Sequence, residues 1–175
     1  LKVELDFSLR KTEKLDSILG DLGQSESNTG PFRAITQLLA AAALVEQDTS
    51  KISLLMEHFL SRQAQTPTYF ACRAFLAWQQ GKQAEALDHL KSGEHLLDDA
   101  LLQASLQSFS IPGYFAWAWQ AFALALAAWQ CHAWELANKC FYDALSEAKT
   151  NPIVNQFTAE YLIEKACQSA NAHAL

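Results

Sequence analysis

The chain has 175 residues, half of them apolar and 11% aromatic, which is enough for one domain with a full-sized core and too apolar for a disordered segment. Thirteen Lys and Arg stand against 19 Asp and Glu, for a net charge of −6. No basic stripe is long enough to neutralise a run of phosphates, so nucleic acid and an anionic membrane surface are both disfavoured as partners.

The N-terminal residues Leu1, Val3, Leu5, Phe7 and Leu9 alternate with Lys2, Glu4, Asp6, Ser8 and Arg10, the pattern of a half-buried strand. A single strand does not stand alone. The segment 1–10 is therefore expected as an extended arm lying on the helices or trailing from a preceding domain, with pairing to a second chain as the alternative. The opening at Leu1, without a basic stretch followed by an apolar run, fits a single domain, 1–175, cut from a longer protein. From there Ala, Leu, Gln and Glu dominate, with only six Gly and four Pro as punctuation, a helical composition. The spacing predicts helices at about 9–20, 32–47, 50–63, 67–80, 83–97, 99–109, 113–131, 134–149 and 153–170. Breaks fall in the polar loop 20–31, at 48–50, at Thr66-Pro67, at Gly81, at 110–113, at His132 and at Asn151-Pro152. Connections this short make neighbouring helices antiparallel hairpins.

Between Ala100 and Trp134 there is no formally charged residue. That length suffices for a membrane span. Its alanine content, the interior Gln120 and the lack of flanking Lys or Arg instead predict a central helix buried among others. The four cysteines, Cys72, Cys131, Cys140 and Cys167, show no C-x-x-C spacing, and each sits in an apolar helical stretch. They read as buried free thiols of a cytoplasmic protein, neither a zinc site nor a disulfide framework.

Self-similarity is the strongest internal signal. Ala74, Ala77, Trp78, Gln79 and Ala86 recur 51 residues later as Ala125, Ala128, Trp129, Gln130 and Ala137. A weaker copy lies 34 residues upstream, with Ala40, Ala43 and Leu44 followed by Ile52. Small residues at this spacing let two helices of a hairpin approach closely. These residues resemble the tetratricopeptide repeat (TPR). In 67–99, Ala74 matches the small residue of the family's first helix, Gly81 its turn, and Ala86-Leu87 the pair of its second helix. In 118–152 the match runs through Ala125, Ala137, Phe141, Ala144-Leu145 and Pro152. Arg73, Gly93 and His132 depart from the pattern, and 17 extra residues separate the two clear copies. The uneven unit length is similar to that in effector-sensing regions of large bacterial transcription regulators. The resemblance implies an all-α fold of antiparallel hairpins stacked into a TPR-like right-handed superhelix whose first helices line a concave face. The helix 153–170 would cap it, with Phe157, Tyr161, Leu162 and Ala166 on one side and Glu160, Glu164 and Lys165 towards another.

On that pattern Phe75, Trp78 and Gln79 from one helix, and Trp119, Phe122, Leu126, Trp129 and Gln130 from the next, fall on or near the concave side. Read as packing, these rings are core. Read as function, they form an aromatic groove with Trp78 and Trp129 as a ladder, and Gln79 and Gln130 pin the backbone of a bound peptide. Enzyme signatures are absent. Glu85 and His89, Glu57-His58 and Glu94-His95 do not make E-x-x-H or H-E-x-x-H, no phosphate loop or nucleophile elbow exists, and Cys131-His132 sits at a helix C-terminus, where the dipole disfavours a thiolate. No catalytic residue, metal or cofactor is expected. The sequence points to a non-enzymatic module that binds a peptide or partner domain in the groove. The alternatives are a small-molecule effector-sensing domain, decided by whether 98–110 folds over the groove, and a self-association domain forming a homodimer.

Overall fold

A computed structural model describes residues 30–58, 60, 66–106 and 111–172. The elements among them are all helices: α1 Gly30–Glu46, α2 Thr49–His58, α3 Pro67–Gln79, α4 Gln83–Leu106, α5 Ile111–Gln130, α6 Trp134–Glu147 and α7 Pro152–Ala172. The arm expected at 1–10 and the helix expected at 9–20 lie outside the described residues.

Three helix ends share one turn. At the ends of α1, α3 and α5 the N–H groups of Gln47, Gly81 and His132 donate to the carbonyls of Leu44, Trp78 and Trp129 at 3.2, 2.9 and 3.0 Å. The following N–H groups, of Asp48, Lys82 and Ala133, reach back to Ala43, Ala77 and Ala128 at 3.1, 2.9 and 2.8 Å. This double closure satisfies the last carbonyls of a helix and requires a left-handed residue at its hinge. Gln47, Gly81 and His132 supply it with φ of 54°, 76° and 56°. Glycine bears this without steric cost, whereas a side chain is strained there. The opposite ends are capped by side chains. Asp48 Oδ1 accepts from the N–H groups of Ser50 and Lys51, both at 3.0 Å, and Thr66 Oγ1 accepts from Tyr69 at 3.1 Å, with Pro67 opening α3. Asn151 Oδ1 accepts from Ile153 and Val154 at the start of α7.

The two helices expected at 83–97 and 99–109 are one, α4. Asp98 and Asp99 interrupt the apolar pattern, but aspartate costs a helix interior only about 0.7 kcal/mol. Asp98 is also held from outside. Lys139 Nζ on α6 donates to Asp98 at 2.9 and 3.0 Å and to Glu94 at 2.9 Å. Burial alone would lower the pKa of this ammonium, but its hydrogen bonds to Asp98 and Glu94, with their charges, outweigh burial and raise it above the ordinary lysine value. Of the helix expected at 50–63, α2 covers Thr49–His58, and 59 and 61–63 lie outside the described residues.

Helix α5 is the centre. It packs on α1, α3, α4 and α6, and residues 121–128 are each at most 1% exposed. Residues 121–128 of the charge-free run are therefore solvated by protein on every side. Among the described residues no helix is long and apolar enough to cross a membrane. Alanines make the enclosure possible: Ala40, Ala41, Ala42, Ala74, Ala121 and Ala125 are all fully buried, and with side chains this small the helices approach closely. Gly93 on α4 extends the principle, since a Cβ built there would lie 2.8 Å from Leu124 Cδ1 and 3.2 Å from Phe70 Cβ.

Helix α7 is fixed by rings. Tyr161 is fully buried, stacks on Phe141 at 4.9 Å and donates its hydroxyl to the Trp134 carbonyl at 2.8 Å. Phe122 meets Phe141 and Phe157 edge-on at 6.2 and 6.0 Å. The buried stripe of α7 runs through Ile153, Val154, Thr158 and Tyr161. Leu162 and Ala166, expected on that side, are exposed: they continue the i, i+4 row of Val154 and Thr158, but the core that covers this row ends at Tyr161.

Of the thiols, Cys72, Cys131 and Cys140 are buried and Cys167 is exposed, which corrects the expectation of four buried cysteines. Cys167 lies on α7 beyond Tyr161, where the helix has left the core. Burial pushes Cys72 and Cys131 up to about 12 and raises Cys140 as well, where the nearby Asp143 carboxylate adds to the effect.

Four outcomes are expected. Gln47→Gly relieves the left-handed strain at an exposed position and stabilises the chain by about 0.5–1 kcal/mol, seen as a higher urea midpoint at constant slope. Gly93→Ala lowers that midpoint, since overpacking of about 1–3 kcal/mol exceeds the gain in helix propensity; an unchanged midpoint would mean that Leu124 yields freely. A thiol whose pKa is higher folded than unfolded favours folding below its unfolded value and loses that contribution as pH rises through the folded one. Stability to urea should thus fall as the pH rises from about 9 towards 12. At neutral pH a disulfide reagent should label one thiol, Cys167, in the native chain and four in denaturant.

Candidate functional site

The shared turn places Trp78-Gln79 and Trp129-Gln130 in the last turns of α3 and α5, beside Val45 and Gln47 at the end of α1. With Leu126, His132 and the α7 residues Phe157, Glu160 and Glu164, they enclose a cavity of about 350 Å³. Five of the residues expected in a groove meet here: Trp78, Gln79, Leu126, Trp129 and Gln130. The other three do not. Phe75 and Phe122 are fully buried and Trp119 is 7% exposed. They are core because α1 packs on α3 and α5, and α6 and α7 bring Phe141 and Phe157 onto Phe122.

The two Trp-Gln pairs have different surroundings. The Trp129 indole N–H donates to Glu164 Oε2 at 2.9 Å, and its ring meets Phe141 and Tyr161 edge-on at 5.9 and 5.8 Å. Trp78 meets the His132 ring edge-on at 5.7 Å, and His132 lies against Trp134 at 5.6 Å. Gln130, expected to hold a peptide backbone, holds the chain's own: its Nε2 donates to the Leu44 carbonyl at 2.8 Å. That bond ties α1 to α5 and leaves Gln130 Oε1 buried with no protein donor. Gln79 is exposed at the rim. Glu164 also accepts from Gln168 at 3.3 Å, and Glu160 from Gln156 at 2.8 Å.

Sequence reasoning missed Val45, Gln47, His132 and the α7 wall. Glu160 and Glu164 are one turn apart and follow Phe157 by three and seven residues, so a single α7 face presents a ring and two carboxylates. That spacing was legible. Which helices the face would meet was not.

A second cleft, of about 490 Å³, runs between α4 and α6 and is lined by Leu87, Leu90, Lys91, Glu94, Trp134 and Lys139 among others. Of its charged residues, Glu94 and Lys139 pair with each other at 2.9 Å and Lys91 lies 3.9 Å from Asp88, with Glu135 also on the wall.

The remaining candidates for chemistry are dispersed. Glu85 Oε1 lies 3.5 Å from His89 Nε2 and also faces Arg73 at 3.8 Å. Among the described residues no group of three His, Cys, Asp or Glu is placed to hold a metal ion. The Cys131 Sγ lies 3.9 Å from the Ala74 carbonyl inside the core, and with its thiol pushed up to about 12 it is a poor nucleophile at neutral pH.

No protein-family model, no curated protein and no solved structure matches this chain.

Proposed function

We propose that the chain is a non-catalytic binding module of TPR-like hairpins that seats an anchor group of its partner in the cavity among α1, α3, α5 and α7. The observation that carries this reading is the convergence of Trp78, Gln79, Leu126, Trp129 and Gln130 on one cavity of about 350 Å³. Ligand pockets start near 300 Å³. The volume suits one side chain or a small molecule and is too small for an extended peptide or a helix. Affinity would come from apolar area against the half-buried Trp78 and Trp129, at about 25 cal/mol per Å² before ordering costs.

A free small molecule is the second reading, favoured by a half-open cavity lined from four helices. Residues 98–106 bear on it too: they continue α4 as helix. Of the residues 98–110 that lengthen the unit, those described are thus part of the second helix of a hairpin. Binding at the turn ends would bias how the hairpins sit on one another.

The test is a thermal-shift screen of the full chain against small molecules and short peptides, repeated on Gln79→Trp, which fills the cavity from its exposed rim. A ligand at a hundred times its Kd contributes about 2.7 kcal/mol, a rise of roughly 5–10 °C for a chain of this size. The expected result is a shift in the native chain that Gln79→Trp abolishes. Hits indifferent to Gln79→Trp would place binding elsewhere and end the proposal.

A further inference from the structure

We infer that the outer face of α7 is a self-association surface, on which a second copy of this chain docks with its own α7 antiparallel to the first. The surface lies on the side of α7 turned away from Tyr161 and is separate from the cavity.

The repeat register locates it. Ala40, Ala43 and Leu44 on α1 recur 34 residues later on α3 as Ala74, Ala77 and Trp78, and at the same interval Ala125, Ala128 and Trp129 on α5 are followed on α7 by Ala159, Leu162 and Ile163. On α1, α3 and α5 the alanines of this set are at most 5% exposed, and each of these first helices has its second helix packed along it, α2, α4 and α6 in turn. On α7 the corresponding positions are open: Ala159 is exposed, Leu162 is 38% and Ile163 65% exposed. Helix α7 packs on α6 and, through Phe157 and Glu164, on α5, and among the described residues no helix covers the side that bears Ile163. The seat of a second helix is present without that helix.

Orientation, spacing and charge all suit a second copy. A second helix returns antiparallel to its first, and two copies of one helix related by a two-fold axis perpendicular to them are antiparallel as well. Each α7 then stands as the second helix of the other. Ala159, Ile163, Ala166 and Ala170 lie in one row opposite Tyr161, with Leu162 at its edge. The segment Ala159-x-x-Leu162-Ile163-x-x-Ala166 reads alike in both directions. With the axis between Leu162 and Ile163, Leu162 faces the partner's Ile163 and Ala159 faces the partner's Ala166. The small pairs on either side let the helices approach, as alanine does inside the fold. A copy matches this spacing by identity, whereas an unrelated helix has no reason to. A residue near a two-fold axis meets its own kind, so a charge there would oppose itself. The row carries none: Glu160 and Glu164 turn to the cavity, and Lys165 to Asn138 on α6. One helix pair buries roughly 1,000 Å² in total, the low end of specific interfaces, so the dimer is concentration-dependent, with a Kd of roughly 10–100 μM.

Sedimentation equilibrium of the full chain, from low micromolar to near-millimolar concentration, should show a monomer passing into a dimer. Ile163→Glu sets like charges across the axis and should weaken the dimer at least about tenfold. The melting temperature of the dilute monomer should not change, because Ile163 is exposed. Leu54→Glu, at an exposed apolar residue of α2, should leave the dimer intact. Cross-linking reads the direction. Chains carrying Ala159→Cys and Ala166→Cys, each with Cys167→Ser, should form a mixed disulfide under mild oxidation when combined. Neither should link to itself, since the two copies of either position stand about seven residues, roughly 10 Å, apart along the pair, beyond the span of about 7 Å between Cα atoms that a disulfide bridges. A chain that stays monomeric, a dimer indifferent to Ile163→Glu, as pairing through residues 1–10 would give, or self-linking without mixed linking overturns the inference. So does a lower melting temperature of the dilute Ile163→Glu monomer, which would mean that the chain's own residues cover the face.

Discussion

Enclosing α5 is the condition on which the structure depends. Residues 121–128 are buried on every side of the helix, and a helix reaches that state only when each neighbour comes close. Backbone proximity requires small side chains at the contacts. Alanine supplies them on α1, α3 and α5, and Gly93 supplies them on α4, where even a methyl group would stand 2.8 Å from Leu124. The remaining volume is filled by Phe75, Phe122, Leu124 and Leu126, so bulk and smallness alternate in the way a dense interior demands. The cost of this arrangement falls on polar groups. With no charged side chain on α5, the ion pairs that tie the hairpins together are displaced to the second helices, where Lys139 bridges Glu94 and Asp98.

The cavity follows from the same packing. Helices brought together over their length by alanine part where larger residues occur, and the larger residues occur at the last turn, as Trp78 and Trp129. Tyr161 then seats α7 across the gap through Phe141, Trp134 and Trp129. Glu164, one turn on, meets the Trp129 indole N–H at 2.9 Å. The indole's one donor is thereby satisfied at a position that is neither core nor surface, as half-buried Trp requires. Gln130 performs the corresponding task for α1, donating to the Leu44 carbonyl.

Much of the helical layout was legible, because its signals are local. The left-handed turn at Gly81 is announced by glycine, and the recurrence of Ala77-Trp78-Gln79 as Ala128-Trp129-Gln130 carries the same turn to His132, where no glycine marks it. Asn151-Pro152 opens α7 and Thr66-Pro67 opens α3, as their capping chemistry dictates. What escaped depends on contacts distant in sequence. Nothing in α1 says that it lies on α5 as well as on α3, yet that contact is one reason Phe75 is core. The continuity of α4 through Asp98 rests on Lys139, 41 residues away. The face of α7 was right for Phe157 and Tyr161 and too wide for Leu162 and Ala166: the apolar spacing admits all four, and the Tyr161 hydroxyl, donating to the Trp134 carbonyl, marks where the helix is held on the core.

The site also shows a cost that packing alone does not explain. Three helices end at this site with their last carbonyls closed by their own turns, and the electrostatically economical neighbour of a helix C-terminus would be a lysine or arginine. The chain places Glu160 and Glu164 there instead. Gln130 Oε1 is buried beside them without a protein donor, a group that a well-paired interior would satisfy. Local choices that contradict the rest of a consistent fold concentrate where function demands them. Here the contradiction is electrostatic, it is confined to one end of the hairpins, and it is walled by the two tryptophans that recur in sequence.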